Sequence, residues 1–192
     1  MQPTRLTTPF HAKMAQVAAY LTWLLGGDLD YVKLLKLIYL ADRESLRRYG
    51  LPITYDDYLA LQMGPVPDDT YQVLEHKEAG NPWTELVQIV GEKGHRVVLL
   101  KSNQTEPPVD ALSMDEIELL NIIVNRHGAK SRQRLISDTH KLQEWQIARK
   151  KLHRKKINHS DILKALGRGE ADTAEMVSAI NAHRALAATM HD

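Results

Sequence analysis

Lys33 to Pro67, KLLKLIYLADRESLRRYGLPITYDDYLALQMGPVP, is the stretch on which the rest of the chain is organised. Its first half has helical periodicity. Leu34, Leu35, Leu37, Ile38, Ala41 and Tyr49 share one broad apolar side, and Lys33, Lys36, Arg43, Arg47 and Arg48 share the other. Gly50 follows the last periodic residue, where a left-handed terminal position favours glycine, and Pro52 keeps the helix from resuming. Gly64-Pro65-Val66-Pro67 reads as a rigid corner, because its two prolines fix φ and remove two backbone donors. A long helix, a hard stop and a stiff corner specify a packing unit.

The chain before this stretch supplies a partner helix. Thr7 or Thr8 can cap it with Pro9 in its first turn, and Met14, Val17, Ala18, Leu21, Leu24 and Leu25 repeat at helical spacing up to Gly26-Gly27. Asp28 and Asp30 are cap candidates for the central helix, and a link of about four residues favours antiparallel neighbours. After the corner, Asp68 or Asp69 starts a short helix that Gly80 stops. Glu85 to Val90 and His95 to Lys101, rich in Val, Leu and Ile, form a β-hairpin across Gly91 to Gly94. A lone hairpin is marginal in water, so this one must rest on helices or accept another strand.

Ser113 and Glu116 make a capping box for a helix through Ile117, Leu119, Leu120, Ile123 and Val124, ended by Gly128. Ser131 caps a shorter helix. Thr139-His140 leads into another bearing Leu142, Trp145, Ile147 and Leu152. Ser160 or Asp161 caps a short element, and Glu170 to Met190 is a last, alanine-rich helix with a thin apolar stripe. The expected fold is mainly α (α+β): a compact helical domain with one small β-hairpin. The expected division is a domain over 1–148 and a C-terminal helical extension over 149–192, packed on it or continuous with it.

Composition sets the bounds. At 192 residues the chain can bury a substantial core. Its 25 Lys and Arg against 24 Asp and Glu leave a net charge of +1, so no bulk field steers it to nucleic acid or anionic lipid. No cysteine is present, which excludes disulfides, thiolate metal sites and cysteine nucleophiles. No run of roughly 18 apolar residues occurs, so the expectation is a soluble, cytoplasmic chain with no membrane partner.

Nine histidines are present without a His-x-x-x-His or His-Glu-x-x-His pair, so no metal site is expected. His11, His95, His153, His159, His183 and His191 sit in polar contexts and are expected to be solvated. His140 has two readings. Either Thr139 caps the following helix while His140 packs with Trp145 at a helix junction, or His140 is a general base, which requires a second catalytic member. Structure is the expected role. The corner lacks the repeated glycines of a phosphate cradle. Arg149 to Lys156 is the best candidate for nucleic acid, but no aromatic residue interleaves within it and the overall charge is balanced, so a solvated helix end is the expected reading.

The ordered set of motifs resembles a known family, the Panacea or SocA-like antitoxin domain. The residues that carry the resemblance are Lys33, Leu34, Lys36, Leu37 and Tyr39, then Tyr49, Gly50 and Pro52, then Gly64, Pro65, Val66, Pro67 and Tyr71, and last Thr139, His140 and Trp145. The resemblance covers roughly Lys13 to Trp145. It implies a phage-associated, non-enzymatic antitoxin that binds and neutralises a cognate toxin protein, without cofactor. It also admits a proteolytic adaptor that delivers the toxin to ClpXP. For Arg149 to Lys156 the alternative to a solvated helix end is docking to an acidic toxin surface or to RNA held by a toxin. A nucleic-acid-binding regulator and a hydrolase built on His140 are the competing readings from the residues themselves. Nucleic acid is not expected as a partner of the isolated chain, and a homo-oligomer is possible. The expected toxin-binding residues are Lys33, Lys36, Arg43 and Tyr71, on the polar side of the central helix and beside the corner.

Overall fold

The computed structural model describes residues 10–76, 82–91, 95–100, 105–150 and 156–189. Helix α1 (His11–Leu24) opens it, and the expected caps Thr7 and Thr8 lie outside the described residues. Gly26 and Gly27 take φ of 95° and 85°, turning the chain into strand β1 (Asp28–Asp30). Helix α2 (Tyr31–Tyr49) follows, with Asp30 Oδ1 accepting from the Lys33 amide at 2.9 Å and Gly50 closing it at φ 73°.

Strands β2 (Tyr58–Leu61) and β3 (Gly64–Pro67) come next, then helices α3 (Asp68–His76) and α4 (Trp83–Leu86). Strands β4 (Val87–Val90) and β5 (Arg96–Leu99) form the expected hairpin, with Glu85 and Leu86 belonging to α4 instead. The hairpin takes β1 as a third strand, giving the order β1-β5-β4. Helices α5 (Met114–His127), α6 (Arg132–Thr139) and α7 (Gln143–Lys150) lead to strand β6 (Lys156–Ile157), then α8 (His159–Ala165) and α9 (Glu170–Thr189). The chain is mainly helical, with two small antiparallel sheets among the described residues.

The second sheet, ordered β3-β2-β6, replaces the expected corner. Gly64 to Pro67 is a strand whose Pro65 lies opposite Ala60 and whose Pro67 lies opposite Tyr58. Prolines fit there because β3 is an edge strand, where a missing donor breaks no ladder on the outer side.

α2 is shared between two cores. The larger joins α1, α2, α5 and the first sheet through residues such as Leu21, Leu34, Leu37, Trp83, Val97 and Leu120. The smaller gathers Tyr39, Leu46, Tyr58, Ile157, Ile162 and Ile180 from α2, the second sheet, α8 and α9. The two-sided reading of α2 is therefore corrected. Lys36 and Asp42 are wholly buried, whereas Tyr49, assigned to the apolar side, is 50% exposed. Contact with both cores leaves the middle of this helix almost no solvent side.

Other local expectations divide. The Ser113–Glu116 capping box forms, and Ser131 Oγ accepts from the Arg134 amide at 3.2 Å. α8 is capped ahead of the expected Ser160 or Asp161, by Asn158, whose amide donates to Asp161 Oδ2 at 2.9 Å. His11 and His159 are buried, not solvated, because their helices pack those faces inward. No helix among the described residues is long and apolar enough to cross a membrane.

Candidate functional site

Three sequence blocks, distant along the chain, meet where α2, the β2–β3 hairpin and the α6–α7 junction touch. Lys36 Nζ leaves α2 and donates to the Pro65 carbonyl at 2.8 Å. Gly64, at φ 102°, lets this happen: a Cβ there would lie 2.8 Å from Thr139 Oγ1 and 3.1 Å from Lys36 Nζ. Thr139 Oγ1 donates back to the Leu135 carbonyl at 2.9 Å, so it closes its own helix α6 and does not cap α7 as expected. His140 stacks on Trp145 with ring centroids 4.1 Å apart and an interplanar angle of 6°. The Trp145 indole donates to the Leu61 carbonyl at 3.0 Å, tying α7 to β2. Lys36, Gly64, Pro65, Thr139, His140 and Trp145 thus form one joint.

Buried charges surround it. Burial pushes the Lys36 amine down to about 7, since its bond is to a neutral carbonyl that offsets little of the lost hydration. Glu144, 1% exposed, accepts from Arg43 Nε at 2.7 Å and from the Tyr39 hydroxyl at 3.1 Å, while its Oε2 has no partner among the described residues. Burial, reinforced by Glu144, raises the Tyr39 hydroxyl well above its usual range. Asp42, one turn from Tyr39, accepts from the Ile53 and Thr54 amides at 2.9 Å, from the Thr54 hydroxyl and from the Tyr58 hydroxyl at 3.0 Å. Asp56 caps α3 by accepting from the Asp69 and Thr70 amides at 2.9 and 3.0 Å. Burial, then the Asp69 carboxylate, pushes Asp56 up to about 8. Burial lowers His140, opposed by a hydrogen bond to the Gln62 backbone.

The four expected partner-binding residues do not share a surface. Lys36 is corrected outright: it is 0% exposed and holds the hairpin. Lys33 Nζ donates to the Gly128 carbonyl at 2.6 Å, at the end of α5. Arg43 pairs with Glu144, about 15 Å further along the same helix. Tyr71 is half-buried on α3 against the larger core. Leu34, Leu37 and Tyr39 are fully buried, and Pro52, Val66 and Pro67 are buried as well. A Cβ on Gly50 would lie 2.9 Å from the Met176 side chain, so that glycine also admits α9.

Chemically, the joint is closed. Its lysine amine is buried, and so are Glu144 Oε2 and His140 Nε2, neither of which has a partner among the described residues. Among the described residues no group of His, Cys, Asp and Glu is arranged to hold a metal ion. Of the basic run, Arg149 and Lys150 are exposed at the end of α7, Lys156 Nζ pairs with Asp57 at 2.8 Å, and the rest lies outside the described residues. Sequence reasoning missed Glu144, Asp42 and Asp56. Asp42 did leave a signal, an acid one turn after Ile38 and two turns after Leu35, on the apolar side of the helix.

A family model described as antitoxin SocA-like, Panacea domain, matches residues 34–146, a span that contains every residue of the joint. Comparison with curated proteins and with solved structures returned no match.

Proposed function

The chain belongs to the SocA-like antitoxin family with a Panacea domain, and on that premise we propose that it neutralises a cognate toxin in the cytoplasm by binding the toxin protein directly. The observation that carries this reading is the family match over residues 34–146. Binding is favoured over chemistry by the enclosure of the joint. Lys36 and Glu144, the two groups there best suited to proton transfer, are 0% and 1% exposed. Exposing them means parting α2 from β3 at Lys36 and from α7 at Glu144.

Co-expression with the product of the adjacent reading frame tests the proposal. The expected result is that the neighbour alone arrests growth, that this chain restores growth, and that the two co-purify as a stable complex. Rescue that needs ClpXP and lowers the toxin level would replace direct neutralisation with delivery to the protease. A harmless neighbour that does not co-purify would overturn the proposal.

A further inference from the structure

The last turns of α2 and α5, together with α6 and the turns that flank it, carry two clusters of cations, each gathered on one carboxylate. Glu44 accepts from Arg47 at 2.6 Å, Arg48 at 2.9 Å and Arg126 at 3.4 Å. Asp138 is met by Lys130 at 2.9 Å, Arg134 at 3.3 Å and Lys141 at 3.7 Å. The two clusters stay distinct, each centred on its own carboxylate, and His127, whose Nδ1 lies 3.1 Å from Lys130 Nζ, follows Arg126 in the chain between them.

Six cations on two carboxylates leave a local charge of +4, in a chain whose net charge is +1, so the remainder carries −3. Two carboxylates cannot occupy the donors of four guanidiniums and two ammoniums. The outermost of these side chains stand well into solvent, at 50% for Arg47, 54% for Arg126, 63% for Arg134 and 68% for Lys141. Like charges held this closely repel one another, and an added anion relieves that repulsion.

We infer that this paired-cluster face is a docking surface for a protein partner that presents two acidic patches, one to each cluster. The inference rests on the proposed binding of a toxin and adds the chemistry of the contact. The face fits a protein better than a nucleic acid for two reasons. Glu44 and Asp138 sit at the centres of the clusters and divide the positive field into islands, where a phosphate backbone calls for a continuous track. The chain's small net charge also supplies no long-range attraction for a polyanion. Discrete aspartates and glutamates on a protein can take both oxygens to one guanidinium, which arginine favours over lysine.

The test titrates the purified neighbour-encoded protein against the unaltered chain, R47E/R126E and R134E/K141E. Each double reversal should weaken binding by about tenfold or more, chiefly through slower association, and should flatten its salt dependence. Melting temperatures should change little, because exposed ion pairs contribute little to stability. If one reversal lowers the melting temperature, R47Q/R126Q and R134Q/K141Q remove the same positive charges without adding negative ones, and should weaken binding in the same direction. Unchanged affinity in both reversed variants, with the complex intact, would overturn the inference and leave direct neutralisation standing. Failure of the unaltered chain to bind would overturn both. Binding of a mixed-sequence single-stranded RNA at about 150 mM salt, as tight as that of the protein and lost in both variants, would reassign the face to nucleic acid and overturn the protein contact.

Discussion

The two cores that share α2 are held by different physics. The larger is mostly aliphatic, with Leu21, Leu34, Leu35, Leu37, Ile38 and Leu120 at 0 or 1% exposure, and α2 and α5 within it begin at the side-chain caps Asp30 and Ser113. The smaller is tied by hydroxyls and ion pairs between residues far apart in sequence. Tyr58 reaches Asp42, Tyr39 reaches Glu144, and Arg184 on α9 donates to the Tyr55 carbonyl at 3.1 Å while pairing with Asp57. Tyr55 has φ 54°, a left-handed conformation unfavourable for its side chain, and the Arg184 bond falls on its carbonyl. Removing apolar surface should therefore weaken the first core, and stranding polar groups should break the second.

Asp42→Ala should have the largest effect. It leaves two amides and two hydroxyls buried without an acceptor, and should cost about 4 kcal/mol in denaturant unfolding. Leu120→Ala, the matching change in the larger core, should cost about 3 kcal/mol through its cavity. A much smaller loss at Asp42 would erase the distinction between the cores. Gly64→Ala should cost about 2 kcal/mol, since it places a Cβ against Thr139 and Lys36 in a left-handed backbone.

Lys36 makes stability depend on pH. Its folded value of about 7 lies below the usual lysine value of 10.5, so between them the unfolded chain holds the extra proton. The contribution of Lys36 to stability therefore rises with pH across that window and falls away as pH drops through about 7. Lys36→Met should flatten that rise in melting temperature and leave the acid limb as it is. Asp56 acts with the opposite sign. Its value is raised from 3.8 to about 8, so its contribution is lost as pH climbs between them, and Asp56→Asn should remove that decline. The smallest effect expected is from Arg184→Ala, about 1 kcal/mol, because its partner Asp57 is 37% exposed and screened.

Periodicity and caps made the larger core legible. The leucines of α2, the Ser113 box and the hairpin at β4 and β5 follow from local rules that hold within a turn or a strand. The second sheet was hidden because two prolines in four residues read as a break, and only an edge position, fixed by tertiary pairing, makes them a strand. Lys36 was misplaced for a related reason. A lysine on a helix reads as solvated unless something distant covers it, and what covers it is the Gly64–Pro65 backbone. The pairing of His140 with Trp145 could be read from their spacing. Glu144 could not, since its burial depends on Tyr39 and Arg43, about a hundred residues earlier.

The three sequence blocks build an internal joint, which places the proposed toxin contact on another face. The most direct test is the dissociation constant of Thr139→Ala for the neighbour-encoded protein, measured well below the melting temperature of the variant. Thr139 is fully buried in the joint, so the expected result is a loss of about 1 kcal/mol in stability and an affinity within about threefold of the unaltered chain. Unchanged stability with binding weakened by more than about tenfold would contradict it, and would make the joint itself the contact.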